Sequence, residues 1–531
     1  MSDVTARIDA RTLKDWMHDG AEFALLDARE EVPFDGRHLL LASCVPLGRL
    51  EVLIDALVPR RTTRTVWCDD GEGLAARAAD RMRGLGYADV AVLDGGVSAW
   101  EAAGYPVYSG VHVPSKAFAE VVEHEAGTPW ITAEALKSLI DADADIAIFD
   151  TRTYEEFHGN SIPGAVSVPG AELVYRFADL TPSPDTVVVV NCGGRTRSII
   201  GAQALINAGV PNKVVSLQNG TQAWHLSGYD VVEGATRRHA DVSDTARGKA
   251  LAAAARVKAR FGIREIDAAG LARWRAEAGR RSLYVLDVRT PEEYAAGHLP
   301  EARSAPGGQL VQETDSFLGA WGGRVALVDD DGARATITAS WLLQMGWPEV
   351  AVLRMDPSRG DLARGPFVPK VLGYDGSAVP AVDPAAAQAM LSDGAAQIVD
   401  LADSRTYRRG HIPGAWFAIR SRMPDDLAAL PPCDTVILTS PDGVLAGLAA
   451  QDLGGGARAL AGGTRGWTAA GLPLSPEDPR LASAADDIRL KAREATDGSV
   501  EDAMRAYLAW EIDLVNRMAT DEDHRFQVRA D

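Results

Sequence analysis

A pattern that occurs four times along the chain most strongly limits how it can fold. In each copy a short apolar strand ends in an aspartate, at Asp27, Asp150, Asp287 and Asp400. A second apolar strand and a loop follow, and the loops begin at Cys68, Cys192, Asp329 and Ser440, which lie 41, 42, 42 and 40 residues further on. Such regular spacing predicts four copies of one structural unit.

Each copy has the pattern of a compact α/β module. Apolar runs rich in β-branched residues alternate with segments of helical period, which predicts a parallel sheet flanked by helices. A repeat of about 100 residues has the size of one such domain. We therefore expect modules at residues 1–108, 126–235, 262–366 and 374–476, followed by a helical tail at 477–531.

The connecting segments and the tail also have helical patterns. Residues 117–124 and 246–260 predict helices in two linkers, and the tail predicts two more, at about 480–495 and 500–518. In the last of these, five side chains fall near one face: Met504, Tyr507, Leu508, Ile512 and Val515. We expect this face to pack on the last module; a contact between two copies in a homodimer is the alternative.

The loop of the second module has the sequence Cys192-Gly193-Gly194-Arg195-Thr196-Arg197. It follows an apolar run at 187–190 and precedes a helical run that starts at Ser198. In such a unit the loop N–H groups and the helix N-terminus point at the sulfur and favour negative charge. With two arginines in the loop, we expect the pKa of Cys192 to be lowered and its thiolate to be reactive. An inert, buried cysteine is the alternative.

The corresponding loops of the other modules lack some of these features. Cys68 is followed by carboxylates at 69, 70 and 72, whose charges would raise the thiol pKa and repel an anion. Asp329 replaces the thiol by a carboxylate, and Ser440 has no loop arginine and no base to activate it. We expect these three modules to be structural or to shape access to Cys192.

Composition excludes several classes of function. The net charge of −20 argues against general binding to nucleic acid or anionic membranes. No apolar run is long enough to span a bilayer, and the first residues lack the apolar core of a signal peptide. Four widely separated cysteines without a Cys-x-x-Cys pair indicate neither a disulfide framework nor a zinc site. The sequence predicts a cytoplasmic protein with no metal or cofactor.

Taken together, the motifs resemble those of the rhodanese (sulfurtransferase) family. The matching parts are the strand-end Asp-x-Arg, the Ile-Pro-Gly-Ala turns at 162–165 and 412–415, the six-residue loop led by Cys192, and the glycine-rich turns before Trp100, Trp224 and Trp467. The third module departs from the pattern at its closing turn, where residues 353–356 read Leu-Arg-Met-Asp. The resemblance implies four tandem rhodanese-like modules, of which the second is active.

The resemblance also implies site roles. Cys192 would accept a sulfane sulfur as a persulfide and pass it on. The main-chain N–H groups of residues 193–197 (Gly193, Gly194, Arg195, Thr196 and Arg197) would hold the outer sulfur. We expect Arg195 to face an anionic donor. Arg197 would do the same or pair with a carboxylate such as Asp150 or Glu156, and Arg152 would lie at the pocket rim or in a surface ion pair.

Two positive loop charges favour thiosulfate as the sulfur donor, with glutathione persulfide also plausible, and a thiol or cyanide as the acceptor. A covalent intermediate predicts ping-pong kinetics. One alternative is a cysteine-dependent phosphatase, but the related phosphatases have a longer Cys-x5-Arg loop. The other is a multi-module persulfide carrier or scaffold with little turnover on small molecules.

Overall fold

The structure, a computed structural model, describes residues 5–181, 183–494 and 498–529. The ends of the predicted ranges 1–108 and 477–531, residues 1–4 and 530–531, lie outside the described residues. One sheet is formed by each repeat, and helices flank all four sheets. The predicted α/β fold of four tandem modules is therefore confirmed.

The helices and strands of the first two modules are as follows. Module one has strands Ala6–Ile8, Phe23–Asp27, Ser43–Cys44, Arg64–Cys68 and Val90–Leu93, with helices Ala10–His18, Glu31–Gly36, Leu50–Leu57, Leu74–Gly84 and Gly96–Ala102. Module two has strands Trp130–Ile131, Ile146–Asp150, Val166–Ser167, Val187–Asn191 and Val214–Leu217, with helices Ala133–Asp141, Tyr154–Gly159, Glu172–Leu180, Thr196–Asn207 and Gly220–Leu226.

The other two modules repeat this order with small changes. Module three has strands Arg264–Ile266, Leu283–Asp287, Arg303–Ser304, Ala320–Trp321, Arg324–Asp329 and Glu349–Arg354, with helices Ala268–Ala276, Pro291–Ala296, Gly307–Gln312 and Ala333–Gln344. Module four has strands Ala381–Val382, Ala396–Asp400, Trp416–Phe417, Thr435–Thr439 and Ala457–Leu460, with helices Pro384–Ser392, Ser404–Arg409, Met423–Ala429, Val444–Leu453 and Gly463–Ala469.

Strand register places the predicted site at one edge of the second sheet. Strands Ile146–Asp150 and Val187–Asn191 are parallel neighbours, with Asp150 opposite Asn191. The carboxyl ends of parallel strands meet at one edge of a sheet, where ligands bind in open α/β folds. Asp150 and the loop at residues 192–197, called the Cys192 loop below, therefore lie next to each other.

The modules are joined through their cores and in one place through a sheet. Strand Ala320–Trp321 of module three pairs antiparallel with Phe23–Asp27 of module one. A single cluster of buried apolar side chains includes residues of the first three modules, the first linker and the tail. Neither connection was visible in the repeat pattern, because each depends on contacts between distant parts of the chain.

Both predicted linker helices are present. The first, Val113–Ala126, is called the linker helix below; the second is Asp244–Phe261. The linker helix packs against Thr196–Asn207, the helix that follows the Cys192 loop. Residues 113–122 are all buried, including the charged Lys116 and Glu120. Buried charges need partners, and those of this helix come from the site described below.

The tail differs from its prediction in two ways. The helix expected at 480–495 is wrong: Arg480–Leu481 is a strand that pairs parallel with Trp416–Phe417, and a short 3₁₀ helix spans Ala492–Glu494. The expected last residue, Ala495, lies outside the described residues. The edge strand of module four offers unpaired backbone groups, and main-chain hydrogen bonds from Ala482 and Ser483 to Phe417 satisfy them.

The second predicted tail helix is confirmed at Val500–Met518 and is called the tail helix below. It packs on the linker helix, so the expectation that it packs on the last module is wrong. Met504 and Leu508 are buried, whereas Ile512 is 43% exposed. Contacts within the chain cover most of the apolar face of the tail helix, so this face does not support the predicted homodimer. The homodimer stays a prediction.

Among the described residues, no helix combines the length and the apolar character that crossing a membrane requires.

Candidate active site

Cys192 stands between a buried strand and a helix that begins at Thr196. The closing turn of the module holds this loop in place, because Thr221 N donates to Cys192 O at 2.8 Å and Gln222 N donates to Gly193 O at 3.1 Å. Gly220 has φ +56°, and a Cβ there would lie 2.3 Å from Cys192 O. Only glycine fits at this position.

The thiol of Cys192 is 2% exposed, and its Sγ donates to Ser198 Oγ at 3.5 Å. Ser198 Oγ in turn donates to Arg195 O at 2.8 Å. Burial raises the pKa of Cys192; the charge of Arg197 and the hydrogen bond of Ser198 oppose this rise, and Glu511 adds to it. The prediction of a lowered pKa is therefore wrong, because burial outweighs the favourable groups and the tail helix adds the carboxylate of Glu511.

Module three shows what this kind of loop binds. The carboxylate of Asp329 occupies the position of the cysteine, and its Oδ2 accepts the N–H groups of Arg334 at 2.8 Å and Ala335 at 3.2 Å. The N–H groups at the start of the helix thus bond a carboxyl oxygen that the chain itself supplies. Burial raises the pKa of Asp329 to about 8, and the charge of Arg334 opposes this rise. In module two the same position holds the Cys192 sulfur, and a hydrogen bond from the Ser198 backbone favours its ionised form.

Arg195 does not face a donor site, so that expectation is corrected. Its guanidinium is 5% exposed and bonds to both carboxylate oxygens of Glu120 at 2.7 Å, to Asn219 Oδ1 at 3.0 Å, and to Glu123. Both glutamates belong to the linker helix. Arg195 therefore fixes the Cys192 loop to the linker helix, a role that the loop sequence alone could not reveal.

Arg197 pairs with Glu156, one of the two carboxylates named from the sequence. The guanidinium lies 2.7 Å from Glu156 Oε2 and 3.3 Å from Gln309 Oε1 of module three. Burial by itself would raise the pKa of Glu156, but Arg197 and Lys491 outweigh it and hold this pKa well below the usual range. The charge of Arg197 also acts on Cys192, so the pairing does not remove it from the site.

Arg152 is buried, which excludes a surface ion pair. It is 4% exposed and binds Asp150 through two N–H groups at 2.9 and 2.7 Å, and Asn160 O at 2.5 Å. The corresponding arginines of modules one and three, Arg29 and Arg289, make the same bidentate pair. Because this pair recurs in modules without the Cys192 loop, it is part of the common architecture.

The two loop glycines have different surroundings. A Cβ on Gly193 would meet the Arg152 side chain only at 3.7 Å, whereas one on Gly194 would lie 3.0 Å from Glu511 Oε2 and 3.2 Å from Tyr507 Cε1. Next to them, Thr196 Oγ1 donates to Glu511 Oε1 at 2.7 Å. The tail helix therefore lies directly on residues 194–196. The sequence placed Tyr507 on an apolar face, but no signal in it pointed to Glu511.

The loops of modules one and four do not present a comparable thiol. Cys68 is fully buried, and burial followed by the charge of Asp27 raises its pKa well above the usual range. Ser440 Oγ accepts the N–H of Ala446 at 3.2 Å, so the hydroxyl serves the start of its own helix. Arg29 opposes the rise at Cys68 but ranks below burial and Asp27, whereas at Cys192 the charge of Arg197, from the same loop, is the largest effect after burial.

A cavity of about 360 Å³ lies beside Gly193. Its ionisable lining side chains are Arg152, Glu156, His225, Glu233, Lys491 and Arg493. Met504 of the tail helix forms part of its wall. The Cys192 loop can thus be approached between module two and the tail.

The fold and the site define a protein of four α/β modules, the second of which carries a cysteine at the head of a loop with two arginines. The family model described as the Rhodanese-like domain matches residues 9–103, 132–227, 269–356 and 383–470. The chain belongs to this family. The resemblance stated from the sequence is confirmed.

Known proteins similar to this chain agree with that membership. The crystal structure of a thiosulfate sulfurtransferase from Pseudomonas aeruginosa is 46% identical, covers 98% of this chain and 99% of that one, and has a TM-score of 0.93. A shorter match is the HTH-type transcriptional regulator Rv0324 of Mycobacterium tuberculosis, 32% identical over 22% of this chain and 57% of the regulator. Another is the "Probable adenylyltransferase/sulfurtransferase MoeZ" of the same species, 32% identical over 18% of this chain and 24% of that protein. The chain spans about half the length of the first curated relatives it matches.

Proposed function

We propose that this chain is a thiosulfate sulfurtransferase in which Cys192 carries the sulfur as a persulfide. The observation that carries the proposal is the position of the Cys192 sulfur, in a loop whose counterpart in module three encloses the Asp329 carboxylate. A loop that binds an anion stabilises both a thiolate and the anionic outer sulfur of a persulfide. The similarity to a thiosulfate sulfurtransferase over almost the whole chain supports the same activity.

The first half of the reaction is the attack of the Cys192 thiolate on the outer sulfur of thiosulfate. A new S–S bond forms, the bond between the two sulfurs of thiosulfate breaks, and its electron pair leaves with sulfite. In the second half, an acceptor such as a thiol or cyanide attacks the outer sulfur and restores the Cys192 thiolate. Covalent storage of the sulfur divides the transfer into two displacements.

The residues around Cys192 have separate roles in this proposal. The N–H groups from Gly193 to Arg197 hold the outer sulfur, and the charge of Arg197 favours the thiolate against the effect of burial. Arg195 keeps the loop in place through its buried pair with Glu120, and Arg152 fixes Asp150 at the end of the neighbouring strand. The donor approaches through the cavity beside Gly193, where Lys491 and Arg493 provide positive charge.

Steady-state kinetics with thiosulfate and cyanide test this function. We expect parallel double-reciprocal lines, which indicate a ping-pong mechanism, and loss of turnover in Cys192→Ser. Cys68→Ser is the matched control and keeps the activity. Intersecting lines, or an active Cys192→Ser variant, would overturn the proposal, and a wild-type protein without turnover would favour the scaffold alternative.

We also propose that the protein works in a reducing compartment such as the cytoplasm. All four cysteines, Cys44, Cys68, Cys192 and Cys433, are free thiols. Unpaired thiols persist where glutathione and thioredoxin keep them reduced.

A further inference from the structure

The tail helix places a carboxylate against the Cys192 loop that the reaction above does not use. Glu511 is 1% exposed, and its Oε1 accepts the hydrogen bond of Thr196. Its other oxygen, Oε2, is directed at Gly194 and has no hydrogen-bond partner within the described residues. A buried carboxylate oxygen without a donor is costly, which makes this atom a candidate for binding a proton-bearing ligand.

A second residue near Gly194 also has an unpaired acceptor oxygen. Gln222 lines the cavity beside Gly193, and its Oε1 is buried and without a partner in the described part of the chain. Gln222 Nε2 would lie 3.5 Å from a Cβ on Gly194, close to the Glu511 contact. Two residues with an unpaired acceptor oxygen therefore lie next to Gly194, and one of them, Gln222, also lines the cavity.

The two unpaired acceptor oxygens favour a ligand that carries a hydrogen to donate over one that carries none. Thiosulfate and ionised sulfite carry no hydrogen to donate, so neither could satisfy these oxygens. A thiol carries an S–H that must lose its proton before the sulfur becomes a good nucleophile. The site therefore fits a thiol in the second half of the reaction better than it fits the donor in the first.

The charges around Glu511 are of both signs. Lys116 of the linker helix is buried, lies 5.1 Å above the Trp510 ring and 5.4 Å above the Tyr507 ring, and is in the electrostatic field of Glu511. Arg195 and Glu120 are also within this field, as is the thiol of Cys192. The cations Lys116 and Arg195 allow Glu511 to remain in a buried position next to groups that carry negative charge.

We infer that the sulfur acceptor of this enzyme is a small thiol and that Glu511 Oε2 receives its proton. The thiol S–H bond breaks and the proton passes to Oε2. The thiolate then attacks the outer sulfur of the Cys192 persulfide and forms a new S–S bond. The bond from Cys192 Sγ to the outer sulfur breaks, its electron pair returns to Sγ, and the product leaves as a persulfide of the thiol. This inference rests on the proposed function, because it needs a persulfide on Cys192.

Single-turnover transfer from the persulfidated enzyme tests the inference. The full-length protein is loaded with thiosulfate and desalted, and persulfide loss is followed by mass with glutathione or with fully ionised sulfite as acceptor. Glu511→Gln should lower the rate with glutathione by about a hundredfold, the scale of general base catalysis. The rate with sulfite should not fall, since sulfite brings no proton. Asp513→Asn, an exposed position on the same helix, is the control and should change neither rate.

The pH dependence separates proton transfer from a structural effect. As the pH rises through the pKa of glutathione, the thiol ionises in solution, and the difference between wild type and Glu511→Gln should shrink. If both acceptors slow equally, or if the difference is the same at every pH, Glu511 does not accept the proton and the inference is overturned. If the wild type gains no persulfide on loading, the proposed function itself has failed, and the two failures can be told apart.

Discussion

Thr196 Oγ1 donates a 2.7 Å hydrogen bond to Glu511 Oε1 and so joins the Cys192 loop to a helix 315 residues further along the chain. The Cys192 loop is therefore held by contacts within module two, to the linker helix and to the tail helix. The tail helix also affects the electrostatics of the loop, because it brings the carboxylate of Glu511 close to the buried thiol.

The rate at which Cys192 is alkylated should still be rising at pH values above the usual pKa of a thiol. Burial raises the pKa of Cys192, and Glu511 raises it further, so the thiolate fraction increases only in alkaline solution. In Glu511→Gln a negative charge is removed, the thiolate becomes easier to form, and the rise should move to lower pH. The rate of iodoacetamide alkylation of Cys192 at each pH, measured by mass, checks this. A variant profile displaced to higher pH would contradict the account.

Replacing Arg195 should lower the free energy of unfolding more than it affects the binding of thiosulfate. Arg195→Met leaves Glu120 buried without its cation, and breaking such a pair costs about 3–5 kcal/mol. Urea unfolding of the variant measures the loss, and the double variant Arg195→Met/Glu120→Met should recover part of it. An Arg195 variant of unchanged stability with a raised KM for thiosulfate would restore the role in donor binding that the sequence suggested.

Arg152 and Arg289 should behave alike when each is replaced by alanine. Both form the same buried pair with the aspartate two residues earlier, although Cys192 lies in only one of the two modules. We predict losses of unfolding free energy that agree within a factor of about two, the usual spread between contexts for buried pairs that lose one partner. Thermal unfolding of the two variants compares them directly. An Arg152→Ala protein as stable as the wild type would show that the pair is not structural.

Gly220→Ala should disrupt the Cys192 loop. The residue has φ +56°, and its new Cβ would lie 2.3 Å from the carbonyl oxygen of Cys192, so the closing turn must move away. Persulfide formation from thiosulfate should fall by at least tenfold. Gly228→Ala is the matched control, since Gly228 also has a positive φ, +77°, but nothing lies within 4 Å of its Cβ. Equal losses in both variants would mean that backbone strain alone is responsible.

The sequence was sufficient for features that depend on local pattern. The four sheets follow from alternating strands and helices, and Cys192 follows from a thiol between a strand and a helix. The partners of Arg195 and the carboxylate of Glu511 could not be predicted, because both depend on how a linker and a tail pack on module two. The same limit explains the tail strand Arg480–Leu481, which forms only because the edge of module four is available to pair with it.

Intact-protein mass spectrometry after brief incubation with thiosulfate tests the central claim most directly. The wild type should gain the mass of one sulfur, Cys192→Ala should gain none, and Cys68→Ala should gain one. A gain that persists in Cys192→Ala would place the acceptor on another cysteine. A wild-type protein that gains no sulfur would contradict the proposal that Cys192 takes sulfur from thiosulfate.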